Sequence, residues 1–207
     1  MAFVLHTVSE ITDPRLLPAL RIYEQAFPVY EQMTSSFWIR LLLSPNDDAM
    51  QFISVVDTES DEVVGMILYQ IHRHEQSAPV AVLWYFCTRS DIRNRGSGGE
   101  IYQIMVSRLF AEGVRAMVFE VERPDVVIKQ SVEGAELAER RIRWYQRNGA
   151  KLIKNADYLQ YVDNGLPPTP MHLMIHTPSP VTPEEAFQIA TEAAGMDATA
   201  IGTLELV

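Results

Sequence analysis

Arg93, Asn94, Arg95, Gly96, Ser97, Gly98 and Gly99 follow an apolar run, Ala81 to Cys87, and lead into a helical pattern that begins near Glu100. Strand, glycine-rich turn and helix in that order make an anion site. Small residues let backbone N–H groups crowd round a phosphate, the helix start adds its dipole, and Arg93 and Arg95 supply positive charge. Two familiar phosphate motifs fail. A P-loop needs Lys and Ser or Thr after its last glycine, whereas Gly99 is followed by Glu100 and Ile101. A dinucleotide fingerprint counted from Gly96 needs a small residue where Ile101 stands. The ligand implied is a pyrophosphate.

What remains is Arg93, two residues, Gly96, one residue, Gly98. A second segment accompanies it: after a strand pattern, Arg115 to Glu122, the run Arg141-Ile142-Arg143-Trp144-Tyr145-Gln146-Arg147-Asn148-Gly149-Ala150 reads as a late helix with a glycine exit. In order and spacing the pair resembles the GCN5-related N-acetyltransferases (GNAT), the first segment matching their acetyl-CoA-binding motif. The resemblance covers residues 80 to 155 and implies an α/β (α+β) acyl-CoA N-acyltransferase fold, a mixed twisted central sheet flanked by helices and split near the CoA site.

Composition sets the outer bounds. A chain of 207 residues that is 47% hydrophobic and 21% charged can bury one sizeable core, and no Pro/Ser/Gly-rich linker halves it. The expectation is a single domain, 1–207, with 177–207 a C-terminal extension. No apolar run approaches a membrane span, and Met1 to Thr7 lacks a basic, apolar leader. Cys87 is the only cysteine, so no internal disulfide forms and a cytoplasmic location is expected. The formal charge of −10 disfavours nucleic acid and anionic membranes as partners and suits an amine.

Phe3 to Val8 reads as a strand, and Asp13 with Pro14 as the start of a helix carrying Leu16, Leu17, Leu20, Ile22 and Tyr23. Pro28 breaks it. A second helix, Ser35 to Leu43, stops at Pro45, and Gln51 to Asp57 with Glu62 to His72 form a hairpin. Val80 to Cys87 is the next strand. The helix after the glycine turn ends at Gly113, Pro124 closes the strand after it, and a loop from Lys129 to Gly134 precedes a helix from about Ala135 to Arg147. Leu152–Ile153, Tyr158–Val162 and Met171–His176 are closing strands, with Gly165, Pro167, Pro168 and Pro170 as a connection. Thr182, Pro183 and Glu185 form a capping-box start for one short helix ending at Gly195; nothing in this tail carries chemistry.

The resemblance assigns roles residue by residue. Phe86, Cys87 and Thr88 match positions whose backbone groups hold the pantetheine arm and help polarise the thioester. Arg93, Arg95, Gly96, Ser97, Gly98 and Gly99 match the pyrophosphate loop. Tyr145, four residues before Gly149, matches a tyrosine whose hydroxyl faces the CoA sulfur and serves as general acid. Ala150 departs from the family, which often has an aromatic there; the departure concerns packing. Tyr30 and Glu31, after Phe27 and Pro28, fall in the acceptor region as substrate contacts, with Glu31 also a second choice as base.

Glu120 and Glu122 share a strand face, and either could act as the base that activates an amine. Cys87 invites a covalent acyl-cysteine route, but no histidine adjoins it to make a thiolate, and a buried strand thiol is expected. His72 with His74, and His172 with His176, make two pairs without a third ligand, so no metal is expected. The function implied is transfer of an acetyl group from acetyl-CoA, as cosubstrate, to the primary amine of a small molecule or peptide, by direct attack in a ternary complex. The alternative is a non-catalytic acyl-CoA sensor or structural protein on the same fold. A homodimer is a family-level expectation.

Overall fold

The computed structural model describes residues 2–43, 50–75, 77–93, 95–129, 131–161 and 167–207, apart from the side chains of Tyr30 and Ala193. Asn94, Pro45, Val162 and Gly165 lie outside the described residues. Eight strands form one mixed sheet in the order β1-β2-β3-β4-β5-β7-β6-β8. They are β1 (Phe3–Thr7), β2 (Met50–Asp57), β3 (Glu62–His74), β4 (Ser77–Thr88), β5 (Ala116–Glu122), β6 (Lys151–Gln160), β7 (Thr169–His176) and β8 (Ala198–Leu206). The helices are α1 (Leu16–Ala26), α2 (Ser35–Leu43), α3 (Ser97–Ala111), α4 (Pro124–Val127), α5 (Val132–Arg147) and α6 (Pro183–Gln188). The chain divides into two compact units, Met1–Ile71 with Leu83–Ala111, and His72–Val82 with Glu112–Val207.

In the first unit β2 pairs antiparallel with both β1 and β3, placing Phe3 opposite Asp57 and Ile53 opposite Ile67. Leu16, Ala19, Ile22 and Tyr23 recur at helical spacing and are the buried positions of α1, whereas Leu17 faces water at 64% exposure. With Trp38 and Leu42 of α2 they meet Phe52, Met66, Leu68 and Cys87 in one core. Asp13 does not cap α1: its carboxylate binds the Arg15 backbone and guanidinium, closing a turn that precedes the helix. In α3 the buried positions are Ser97, Ile101, Tyr102, Met105, Val106 and Leu109.

In the second unit Val80–Val82 run parallel to Ala116–Val118, and β5, β7, β6 and β8 follow as antiparallel neighbours. Alternation along β5 sends Val118 and Phe119 to opposite faces. Ala116 and Val118 join Val80, Val82, Leu173 and Ile175 in a core closed by Ala186, Ile189, Ala190 and Met196 of the tail. Phe119, on the other face, packs on Tyr145 of α5.

Four readings of this region change. Pro124 opens α4 as its first residue instead of only closing β5. Ser131 caps α5 through Gly134 N–H, so that helix starts at Val132. The segments around Leu152 and Tyr158 are one strand, β6, interrupted by irregular pairing where Asn155 takes a left-handed φ of 62°. The tail has its capping box at Thr182 and Glu185, but it continues into β8, which pairs with β6 as an additional strand.

Candidate active site

The glycine turn belongs to the first unit. β4 ends at Thr88, and a single turn, Ser90–Ile92, seats Ile92 in the core. Arg93 folds back so that Nε and Nη2 both donate to the Thr88 carbonyl oxygen, at 3.1 and 2.8 Å, which clamps the two ends of the turn together. Arg95 stays exposed. Gly96 has φ +85°, and a Cβ built on it meets nothing within 4 Å, so the left-handed backbone alone selects glycine here. The chain then enters α3 three residues earlier than Glu100, with Ser97, Gly98 and Gly99 opening its first turn. First-turn N–H groups have no carbonyl partner within their own helix, and the dipole concentrates positive potential on them. An anion fits there.

Beside the turn, Gly65 of β3 carries a constraint that no sequence motif marks. A Cβ at Gly65 would stand 2.8 Å from the Cys87 carbonyl oxygen and 3.4 Å from Val55. Glycine therefore lets β3 lie close beside the strand end that carries Phe86, Cys87 and Thr88. A lone glycine inside a long β-rich run was the available signal. Phe86 meets Tyr102 of α3 edge-on at 6.1 Å, and Thr88 is buried. The Cys87 thiol is buried, and burial pushes its pKa up to about 12. It stays protonated at neutral pH, which leaves no thiolate to accept an acyl group.

The acceptor region of the same unit is held by tyrosines. Tyr85 donates its hydroxyl to the Glu31 carbonyl oxygen at 2.6 Å, and Tyr23 accepts from Met33 N–H at 2.6 Å. Their rings meet at 4.9 Å, and Phe27 touches both. These contacts fix the turn Val29–Glu31, which presents the half-exposed Glu31 side chain. The Tyr30 side chain lies outside the described residues. Tyr23 and Tyr85 lacked a sequence motif because their task is to anchor a distant backbone.

The second unit carries the proposed acid and base. Glu120 Oε1 accepts from Gln160, and the Tyr158 hydroxyl stands beside the same carboxylate. Burial raises the Glu120 pKa above the ordinary carboxylate range, with both donors working against the rise. Burial and the Glu120 charge together raise the Tyr158 phenol. Glu122 differs: it forms an ion pair with Arg141 of α5. Tyr145 is 8% exposed, wedged between Phe119 at 4.5 Å and Trp144 at 4.9 Å. The structure thus joins Tyr145 to the Phe119 face of β5, while alternation puts Glu120 on the opposite face. Gly149 closes α5 at φ +98°, with a Cβ there 3.0 Å from the His176 ring. Among the described residues no group of three or more His, Cys, Asp or Glu is placed to hold a metal, and no helix is long and apolar enough to cross a membrane.

A turn of this build, entered from a clamped strand end and delivered into an open helix start, presents backbone N–H groups that lack a partner within their own helix beside the end of β4. The family model of the acetyltransferase (GNAT) family matches residues 17–127, and the chain belongs to that family. Among solved structures, a Bacteroides thetaiotaomicron protein assigned to the GNAT acetyltransferases is 23% identical, with a TM-score of 0.63 over 93% of this chain and 98% of that one. NAA60 of Arabidopsis thaliana in complex with acetyl-CoA is 15% identical, with a TM-score of 0.59 over 86% of this chain and 99% of that one. Naa50 of the same plant, in complex with the bisubstrate analogue CoA-Ac-MVNAL, is 13% identical at a TM-score of 0.58, over 86% and 99% of the two chains. At these identities the likeness is one of fold. No curated protein matches the chain.

Proposed function

We propose that the protein transfers the acetyl group of acetyl-CoA to a primary amine by direct attack. The observation that carries this reading is the left-handed Gly96 leading into an α3 first turn built from Ser97, Gly98 and Gly99. Family membership and neighbours solved with acetyl-CoA or a CoA-linked analogue support it. The pyrophosphate binds the first-turn N–H groups, with Arg95 adding charge from the surface. Arg93 acts chiefly by holding Thr88, and so the strand end that receives the pantetheine arm and the thioester.

Transfer requires a neutral amine, whose nitrogen attacks the thioester carbon as the C–S bond breaks, and a proton for the departing thiolate. Glu120, on the face of β5 opposite Tyr145, is assigned to take the proton from the incoming ammonium through water. Its raised pKa makes it a stronger base than an ordinary carboxylate, whereas Glu122 is committed to Arg141. Tyr145 is assigned to donate the proton to sulfur, on the resemblance of its place before Gly149. The thiol of Cys87 takes no part. Tyr30 and Glu31 are assigned to the acceptor, a small-molecule or peptide amine.

The test is CoA-thiol release from acetyl-CoA with a panel of a polyamine, free amino acids, an aminoglycoside, a peptide with a free N-terminus and a lysine peptide. Amine-dependent release with an acetylated product is expected from at least one class. Binding of acetyl-CoA with no release for any amine would replace the enzyme by the acyl-CoA sensor.

A further inference from the structure

The second unit holds a cavity of about 900 Å³ at the end where β4 begins and β7 finishes, lined among others by His74, Ser77, Arg115, Glu185, Gln188 and Glu192. Arg115 immediately precedes β5, and Glu120 lies five residues further along it, so about 16 Å of extended chain separates the cavity from the proposed base. It is an open pocket with room for a small ligand.

Its charges are arranged in an unusual way. The Arg115 backbone is fixed by its N–H bond to Pro79 O at 2.9 Å. The side chain forms no ion pair among the described residues, and its Nε is buried without a hydrogen-bond partner there. A cationic group left so incompletely satisfied in a cavity wall calls for an anionic partner. Two carboxylates line the same cavity without closing on it. Glu185 accepts from Thr182 N–H at 2.8 Å as part of the α6 capping box, and Glu192 accepts from Gln188 Nε2 at 2.8 Å. Both carboxylates meet neutral donors, and neither forms an ion pair among the described residues, in the same pocket that Arg115 lines.

We propose that this cavity is a second ligand site, separate from acetyl transfer, and that it takes a small zwitterion carrying both carboxylate and ammonium, as a free amino acid does. The carboxylate meets Arg115, and the ammonium meets Glu192 with Glu185 beside it. A simple anion is opposed by the two glutamates and by the net charge of −10. A simple cation is opposed by Arg115.

The experiment is an amide-resolved NMR titration of the full chain with L-alanine, and in parallel with propionate and isopropylamine, which each keep one of its two charges. Alanine should shift the amides of Ser77, Arg115, Thr177, Gln188 and Glu192, and the single-charge probes should bind about tenfold more weakly or worse. Arg115→Met and Glu192→Gln should each weaken alanine about tenfold, while Arg115→Lys recovers part of the loss. Glu192 is exposed, so its Gln variant folds and decides the matter if Arg115→Met does not. Unmoved amides at saturating alanine, propionate or isopropylamine binding as tightly as alanine, or an unchanged affinity in Glu192→Gln would each overturn the proposal. Shifts confined to Glu120 and Glu122 would mark alanine as an acceptor and likewise count against it.

Discussion

Replacing Gly65 by alanine tests whether the close approach of β3 to the end of β4 matters for function. The new methyl would start 2.8 Å from the Cys87 carbonyl oxygen, a backbone atom that cannot rotate away, and 3.4 Å from the Val55 side chain. Restoring ordinary contact needs about 0.5 Å of strand separation, and overpacking of this kind costs about 1–3 kcal/mol. The reduced freedom of the unfolded chain returns about 0.4–1 kcal/mol, so the net loss lies within about 0–2.6 kcal/mol, centred on about 1.3 kcal/mol. For a chain of this size the central value lowers Tm by about 3–5 °C. The displaced group is the strand end assigned to the pantetheine arm, and misplacement of a reacting group by less than 1 Å should lower kcat/KM by about tenfold or more. Thermal unfolding and CoA-thiol release should be measured on the same preparation. A variant with wild-type Tm and wild-type kcat/KM would refute the reasoning. Lost stability with full activity would confine Gly65 to packing.

Glu120→Gln should reduce turnover by about 10²-fold and remove the acidic limb of the pH profile, with the larger loss in Glu120 and the smaller in Glu122→Gln. That limb should lie above the ordinary carboxylate range, because a base with a raised pKa is lost to protonation earlier as pH falls; equal profiles for both variants and wild type contradict the assignment. Tyr145→Phe keeps the ring packed on Phe119 and should lower kcat by about 10²-fold with acetyl-CoA affinity nearly unchanged. Unaltered turnover would leave Tyr145 a packing residue. Cys87→Ala should keep most activity, and intact-mass measurement with acetyl-CoA alone should show no 42 Da acetyl adduct, the mass of one added acetyl group; a stoichiometric adduct on Cys87 contradicts direct transfer.

Features governed by local chemistry were legible in the sequence. The glycine turn, the span Ser35–Leu43, the hairpin of β2 and β3, and the Thr182 capping box each depend on residues within a few positions of one another. The unrecognised features depend on distant partners. Strand β8 is largely exposed, contains Gly202 and pairs with β6 some 45 residues away, so its own pattern is weak. The bulge at Asn155 splits the alternation of β6 and makes one strand look like two. In the site, Glu120 and Glu122 are equivalent by spacing and become different only through Gln160, Tyr158 and Arg141. The pair of hydrogen bonds that Arg93 donates to the Thr88 carbonyl oxygen is likewise invisible until the turn is folded, because spacing alone points both arginines at a phosphate.

The central claim, that acetyl-CoA is held by the first turn of α3, is tested most directly by calorimetric titration of acetyl-CoA into wild type and Gly98→Asp. Aspartate in the first turn of a helix interacts favourably with the dipole, by about 0.3–1 kcal/mol, so the variant should fold and its circular dichroism should match wild type. The same carboxylate sets a negative charge and a side chain against the proposed phosphate position. The account predicts one acetyl-CoA site in wild type and no measurable heat of binding in the folded variant. Undiminished affinity in folded Gly98→Asp would contradict it.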